Sequence, residues 1–342
     1  MRERRFGSCR GVGIARGGGA DLGEFMALMA APGVSADGAA RFLDRLKAWW
    51  DGVDPSAAPA AGASAAIPAP HGRTGKDAHD HGAPMPALDP FQLAQWLWGE
   101  GFLSPGGEEY VCALLKPCGL TSAMSMLDLS AELGGAPRAV AKVFGTYVTG
   151  LERSLEAAQK GMALSKAAKL EKKASVAHYN PDAVELRRNA FDCVFGRTAT
   201  FALAGKERLL RVVREGMKAN GQLLLTEFVR DAAVPASPAL AAWASTEPVP
   251  PQLWTVAQYR DCLSGLGFDL RIVEDGTDMY RALIIQGWKR LLDEVDLRSL
   301  AKPQLLSIVE AAEFWMRRLA ALDSGSLRLC RLYAIAAGNA RG

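Results

Sequence analysis

The chain has 342 residues, of which 49% are hydrophobic, and a formal net charge of +3. A chain of this length can bury a large core, so we expect one main domain with appended segments. The small net charge does not indicate a nucleic-acid partner, and no apolar run reaches the length of a membrane span. Six cysteines without a CxxC pair favour reduced thiols and a cytoplasmic location.

The first quarter of the chain divides into three segments of different composition. Residues 1–20 are rich in Gly and Arg and are predicted to form a disordered N-terminus. Residues 21–53 are predicted to be helical, with an apolar stripe that includes Phe42 and Trp49. Such a stripe needs a partner surface, so we expect a protein partner for this N-terminal helix. Residues 54–88 are rich in Ala and Pro, which predicts a flexible linker.

After the linker, a predicted helix over Phe91–Trp98 is followed by apolar strand patterns that alternate with helical ones. The strand patterns are SMLDLS, YVTGLE, ASVAHY, FDCVFG and GQLLLTEFV. The helical patterns are Pro137–Phe144, RSLEAAQKGMALSKAAKLEKK and KERLLRVVREGMKA. Strands that alternate with helices in this way predict a parallel, doubly wound sheet.

The C-terminal third predicts another helix, two further strands and a helical tail. The segment TVAQYRDCLSGLGF is predicted to be a helix closed by Gly267, and DLRIVEDG and YRALIIQGW are predicted to be strands. From Lys289 onward the sequence gives two helical patterns, separated near Lys302. We therefore predict a main domain over residues 89–288 and a helical C-terminal extension over residues 289–342.

In proteins with an open parallel sheet, ligands bind beyond the carboxyl ends of the strands. This sequence places polar residues and glycines at those ends. These residues are Asp128, Ser130, Gly134, Gly135, Glu152, Asn180 and Arg197. An acidic residue that ends strand two can accept both hydroxyls of a ribose, in NAD or in S-adenosylmethionine (SAM). The loop DLSAELGG lacks the GxGxxG pattern of a dinucleotide site and favours SAM. A plain strand–turn–helix without a ligand remains an open alternative.

Several segments, in their order and spacing, resemble the motifs of class I SAM-dependent methyltransferases. They include MLDLSAELGG, VTGLERS and WTVAQYRDCLSGLGF. The turn GEGFLSPGG and the segments FWMRR and LRLCRLYA are similar to phosphoethanolamine N-methyltransferases and related small-molecule N-methyltransferases. Pattern and resemblance together predict an α/β, Rossmann-like, mostly parallel seven-stranded sheet with helices on both faces. Its last two strands are expected to be antiparallel, with N-terminal helices and a helical C-terminal tail added.

The resemblance implies SAM as the cofactor, a small molecule as the substrate, and a role for each matching residue. It assigns the methionine end of SAM to Asp128 and the Gly134–Gly135 turn, the ribose to Glu152, and the adenine amino group to Asn180. Ser130, in the same loop, is a further candidate for cofactor binding. It assigns a lid to Leu103 and Ser104, and a place beside the transferred methyl group to Arg197. His178, the only histidine in the predicted domain, is a second catalytic candidate, with a packing role as the alternative.

This sequence also departs from the family pattern. Ser130, Ala131 and Glu132 stand where the family has glycine or a small residue. We expect Ser130 to be strained and Glu132 to face the SAM carboxylate, so that the pocket is weakened or reshaped. Thr198 and Ala202 stand where the family has an aspartate and a histidine.

Two functions therefore remain open from the sequence. The first is an active SAM-dependent methyltransferase that acts on a nitrogen or oxygen nucleophile of a small molecule. Because the family's acid–base residues are absent, such an enzyme would work mainly by proximity and orientation. The second is a catalytically inactive methyltransferase-like protein that serves as a binding or scaffold module.

Overall fold

The computed structural model describes residues 87–296 and 299–338. The predictions for residues 1–20 and 21–53, and nearly all of the predicted linker over residues 54–88, lie outside the described residues. Among those described, no helix has the length and apolar character that a membrane span requires.

The chain divides into two compact units. One consists of Leu88–Leu291 with Glu310–Gly342 and contains the whole sheet. The other consists of Met1–Ala87 with Leu292–Val309, and its described part is the end of one helix and the beginning of the next. The candidate site belongs to the first unit.

The described residues form seven strands and nine α-helices. The strands are β1 (Ser125–Asp128), β2 (Tyr147–Glu152), β3 (Ala174–His178), β4 (Phe191–Arg197), β5 (Met217–Arg230), β6 (Phe268–Asp275) and β7 (Leu327–Ala336). The helices are α1 (Pro90–Trp98), α2 (Gly107–Leu115), α3 (Gly135–Val143), α4 (Leu155–Ala167), α5 (Lys206–Gly216), α6 (Pro238–Ala244), α7 (Val256–Gly265), α8 (Thr277–Glu294) and α9 (Lys302–Asp323).

All seven strands belong to one sheet in the order β3-β2-β1-β4-β5-β7-β6. The first five strands are parallel to one another, and β7 is antiparallel to both β5 and β6. The predicted Rossmann-like, mostly parallel seven-stranded sheet is therefore confirmed. The chain runs outward through β1, β2 and β3 and then returns to β4, so the topological switch point lies between β1 and β4.

The C-terminal prediction is wrong in two places. YRALIIQGW is part of helix α8 and not a strand, because Tyr280, Ile284 and Trp288 recur every four residues and form one buried face. The last strand is instead β7, within the region predicted to be a helical extension over residues 289–342. Among the residues of this region that the structure describes, the α-helical parts are α9 and the end of α8, and β7 is a central strand between β5 and β6.

The main hydrophobic core packs α5 and α7 against the sheet. Leu209 and Val213 of α5 and Leu263 of α7 are fully buried against apolar residues of β1, β4 and β5. Helix α7 begins with a capping box between Thr255 and Gln258, which satisfies two backbone N–H groups at the helix start. This packing fixes the strand ends from which the candidate site is built.

Candidate functional site

A cavity opens beyond the carboxyl ends of the strands at the switch point between β1 and β4. Its volume is about 320 Å³, within the range of small-molecule sites, which is roughly 300–1,000 Å³. The walls come from the ends of β1, β2 and β4, from the turn before α2, from the chain after α6, and from α9. They are Leu103, Leu129, Ser130, Glu132, Glu152, Arg153, Arg197, Thr198, Ala199, Phe201, Ala202, Glu247, Pro248, Val249, Phe314, Trp315 and Arg318.

Glu152 ends β2, lines the cavity, and is held by backbone groups on both carboxylate oxygens. Its Oε1 accepts a hydrogen bond from the Ser154 N–H at 2.9 Å, and its Oε2 accepts one from the Glu132 N–H at 2.9 Å. Burial raises the pKa of this carboxyl above its ordinary value. A carboxylate has about four lone-pair positions, so Glu152 keeps acceptor capacity on both oxygens for a ligand with two neighbouring hydroxyls.

Asp128 lies at the end of β1 beneath the cavity and is fully buried. Its Oδ1 accepts hydrogen bonds from the N–H of Ser130 at 2.9 Å and from the hydroxyl of Ser130 at 3.2 Å. Its Oδ2 is buried and has no hydrogen-bond partner among the residues described. Burial raises the pKa of Asp128 to about 6, against the opposing charge of Arg197.

The prediction that Ser130 is strained is wrong. Among the non-glycine residues of this loop, the positive φ belongs to Glu132, at 53°, and not to Ser130. The Ser130 hydroxyl instead joins two strands, because it accepts the N–H of Arg197 at 2.8 Å while it donates to Asp128. Replacing Ser130 with glycine would remove these hydrogen bonds and relieve no backbone strain.

Glu132 and Arg197 form a nearly buried ion pair at the cavity wall. The Arg197 Nη2 lies 3.0 Å from Glu132 Oε2, and the two side chains are only 5% and 12% exposed, respectively. The same Oε2 accepts the Leu103 N–H at 2.8 Å, and Oε1 bonds to the Ser104 hydroxyl. Burial by itself would lower the pKa of Arg197, but Glu132 and Asp128 outweigh it and raise that pKa.

A second buried ion pair, which the sequence analysis did not identify, joins Arg318 of α9 to Glu247. The Arg318 guanidinium lies 4.6 Å from the ring centre of Trp315 and 4.7 Å from that of Phe314. Its Nη1 also donates to the Tyr280 hydroxyl at 3.2 Å. The only sequence signal was the segment FWMRR, which includes Arg318. This pair lines the end of the cavity that is formed by α9.

The structure brings some of the sequence-predicted residues to the cavity and leaves others away from it. Leu103, Ser130, Glu152 and Arg197 line it, while Ser104 and Asp128 bond to lining residues. The others do not line it: Gly134, Gly135, His178 and Asn180.

Of the four residues away from the cavity, the two glycines form backbone hydrogen bonds and the other two are exposed. The Gly135 N–H donates to the Gly101 carbonyl at 3.0 Å, and the Gly134 N–H donates to the Ala131 carbonyl at 2.7 Å. His178 is exposed at the end of β3. Asn180 is also exposed, and its side-chain oxygen accepts the N–H of Asp182 at 2.9 Å.

Thr198 and Ala202, the two departures after β4, both line the cavity. The positions that the resemblance gave to an aspartate and a histidine therefore do face the candidate site, but they carry no ionisable group here. Thr198 adopts a φ of 47°, and its N–H donates to the Thr226 carbonyl. Among the described residues, no group of three or more His, Cys, Asp or Glu side chains is arranged to hold a metal ion.

A further buried carboxyl, Glu227, lies in β5. It is fully buried, and its Oε1 accepts the Thr200 N–H at 2.9 Å. Its Oε2 is buried without a hydrogen-bond partner among the residues described. Burial raises the pKa of Glu227 to about 7 from the usual 4.5. The folded protein therefore favours the protonated form of this side chain.

The raised pKa of Glu227 predicts a pH-dependent stability. The stabilising contribution of the protonated side chain is fully present below the unfolded pKa and is lost as the pH rises through the folded pKa. We expect Glu227→Gln to match wild type at about pH 4 and to exceed it by about 1–3 kcal/mol at about pH 8. Urea unfolding at both pH values measures this, with the exposed Glu207→Gln as the control. An equal difference at both pH values would be evidence against the raised pKa.

No protein-family model matches the chain. Over 204 residues, it is 26% identical to phosphoethanolamine N-methyltransferase 1 of Arabidopsis thaliana. This match covers 58% of this chain and 39% of that protein. Over 137 residues, it is 30% identical to phosphoethanolamine N-methyltransferase 2 of Caenorhabditis elegans. This second match covers 39% of this chain and 31% of that protein. The resemblance inferred from the sequence motifs is thereby confirmed.

A solved structure of Haemonchus contortus phosphoethanolamine N-methyltransferase 2 in complex with SAM matches the chain with a TM-score of 0.66. The sequence identity is 21%, and the match covers 72% of this chain and 56% of the other. The chain has the class I SAM-dependent methyltransferase fold. This methyltransferase-like chain spans about two fifths or less of the length of the two curated relatives.

Proposed function

We propose that the cavity binds SAM and that the chain is a SAM-dependent methyltransferase acting on a nitrogen or oxygen nucleophile of a small molecule. The observation that carries the proposal is Glu152, whose carboxylate lines the cavity at the end of β2 with both oxygens held by backbone N–H groups. A fixed carboxylate in this position suits a ribose diol. The cavity volume and the sequence similarity to N-methyltransferases support the same conclusion.

The residues present fit the adenosine part of SAM. Glu152 would hold the ribose, and Leu103 and Leu129 offer apolar contact beside it. The loop that contains Ser130 and Glu132 would face the methionine part. When bound, SAM would supply an electrophilic methyl group on its sulfonium.

The cavity residues favour catalysis by orientation. Glu132 and Glu247 are each paired with an arginine, and Thr198 and Ala202 cannot take up a proton near neutral pH. No general base is therefore assigned among these four residues. The chain would hold the nucleophile against the methyl group between the apolar walls and keep water out.

The proposed function predicts that purified protein transfers label from methyl-labelled SAM to at least one small molecule in a panel of amines, alcohols and phenols. Glu152→Ala should reduce this transfer when SAM is below saturation, while the exposed Glu156→Ala should leave it unchanged. Absence of transfer to every acceptor, with SAM bound, would favour the second candidate function. That candidate is an inactive methyltransferase-like binding protein, and the Glu132 side chain in the cofactor loop is the observation in its favour.

The residues that follow β4 predict that phosphoethanolamine is not a substrate. Thr198 and Ala202 line the cavity at the positions where the resemblance gives an aspartate and a histidine, so neither can take the proton of the substrate amine. We expect no measurable methylation of phosphoethanolamine in the labelled-SAM assay, with a phosphoethanolamine N-methyltransferase as the positive control. Turnover at a rate typical of enzymes would show that another group of the protein takes over the proton transfer.

The remaining sequence-based predictions belong to the same proposal. They are a cytoplasmic location, no nucleic-acid partner, and a protein partner for residues 21–53, which lie outside the described residues.

A further inference from the structure

Two hydrogen-bond donors and one cation converge on the Glu132 carboxylate at the cavity wall. The donors are the Leu103 N–H at 2.8 Å and the Ser104 hydroxyl, and the cation is the Arg197 guanidinium, whose Nη2 forms an ion pair with the carboxylate at 3.0 Å. Two neutral donors and a buried cation make an anion-binding site, because charge-assisted hydrogen bonds are strongest where water is excluded. The anion in this site is a side chain of the protein itself.

The backbone of Glu132 fixes where this carboxylate lies relative to Glu152. The Glu132 N–H donates to Glu152 Oε2 at 2.9 Å, so its main chain adjoins the proposed ribose acceptor. From that point the side chain extends to Leu103 and Arg197. Its φ of 53° lies in the left-handed region that costs energy for any residue except glycine. The contacts of the carboxylate therefore hold a backbone conformation that glutamate disfavours.

We propose that Glu132 occupies, with its own carboxylate, the anion-binding position that would receive the carboxylate of the SAM amino acid. Glu132 thereby determines specificity: the cavity favours 5′-thioadenosine or sulfonium nucleosides without a carboxylate over those with one. This inference rests on the proposed function, because it assumes that the adenosine part binds at Glu152.

Electrostatics explains why the cavity would favour a ligand without a carboxylate. A ligand carboxylate that enters beside Glu132 meets a like charge and finds both hydrogen-bond donors and the Arg197 cation already engaged. If the ligand carboxylate displaced Glu132, Arg197 would lose one carboxylate partner and gain another. The exchange would therefore give no additional ion pair. A ligand amino group has no such conflict and gains an acidic neighbour.

The test compares SAM with decarboxylated SAM, since the two ligands differ only in the carboxylate. Calorimetric titrations are made on wild type, Glu132→Gly and Glu132→Gln at one pH and salt concentration. Glu132→Gly removes the carboxylate and places at the positive φ the residue that adopts it freely. Glu132→Gln keeps the size of the side chain and removes only its charge. Glu310→Gln, which makes the same charge change at an exposed position, is the matched control.

We expect wild type and the control to bind decarboxylated SAM at least as tightly as SAM. Glu132→Gly should bind SAM at least about tenfold more tightly than the decarboxylated ligand, and Glu132→Gln should fall between. Thermal unfolding of each variant verifies that the proteins compared are folded. An unchanged preference in both folded variants overturns the inference and leaves the proposed function intact. If Glu132→Gly alone binds SAM tightly, the inference is supported and SAM binding by the wild type is refuted. If no variant binds either ligand, both the inference and the proposed function are overturned.

Discussion

Glu152→Ala is expected to lower the affinity for SAM by about tenfold or considerably more. The two oxygens of Glu152 line the cavity in an orientation set by Ser154 and Glu132. Two charge-assisted hydrogen bonds to a ribose are each worth roughly 1.5–3 kcal/mol, and a tenfold change in affinity needs only about 1.4 kcal/mol. Calorimetric titration of wild type and variant with SAM measures the difference.

Two further variants separate ribose binding from an indirect effect on the loop. Glu156→Ala changes a carboxylate that is 67% exposed on α4 and should leave the affinity unchanged. Glu152→Gln keeps one oxygen as an acceptor and should give an intermediate loss. An affinity for SAM that is the same in Glu152→Ala as in wild type would remove the ribose assignment and with it the proposed function.

Arg197→Met is expected to destabilise the fold by about 3–5 kcal/mol, because it leaves the nearly buried Glu132 carboxylate without its cation. Methionine is similar in length to arginine and limits the loss of packing. Urea unfolding of wild type and variant measures the change. The double variant Glu132→Gln with Arg197→Met should lose less than the sum of the single losses, because neither side chain is then left as an unpaired charge.

The exposed ion pair between Arg188 and Glu215 offers a matched control for Arg197→Met. These side chains are 79% and 48% exposed, so water already screens their attraction. Arg188→Met should therefore change stability by less than about 1 kcal/mol. A loss in Arg197→Met as small as this would contradict a buried pair at the cavity wall.

The sequence predicted the parallel half of the sheet because each strand there is a short apolar run followed by a helical pattern. Asp128, Glu152 and Arg197 were placed at a common edge for the same reason: parallel strands end on the same side of the sheet. Local pattern and topology were sufficient for these three residues.

The C-terminal part failed because a short apolar run can be either a strand or a buried helix face. In YRALIIQGW, the buried residues Tyr280, Ile284 and Trp288 have helical spacing that the apolar appearance of the run obscured. In β7, buried Leu329 and Cys330 are neighbours, which interrupts the alternation typical of a strand. Its pairing with both β5 and β6 is set by tertiary contacts that a local pattern does not contain.

The contacts of the charged side chains at the site could not be predicted from local sequence patterns either. Glu132 bonds to Leu103 and Arg197, and Arg318 bonds to Glu247, across 29, 65 and 71 residues of the chain. The sequence identified Glu132 as an unusual loop residue. Only the fold shows that its carboxylate is held by groups from two distant segments.

The most direct test of the account is a calorimetric titration of the wild-type chain with 5′-deoxy-5′-methylthioadenosine. This compound carries the adenosine part of SAM without the amino acid, so its binding depends on the pocket at Glu152 and not on the Glu132 carboxylate. We predict saturable binding to a single site, weakened about tenfold or more in Glu152→Ala. The absence of binding to the folded wild-type protein, or equal binding by Glu152→Ala, would contradict the account.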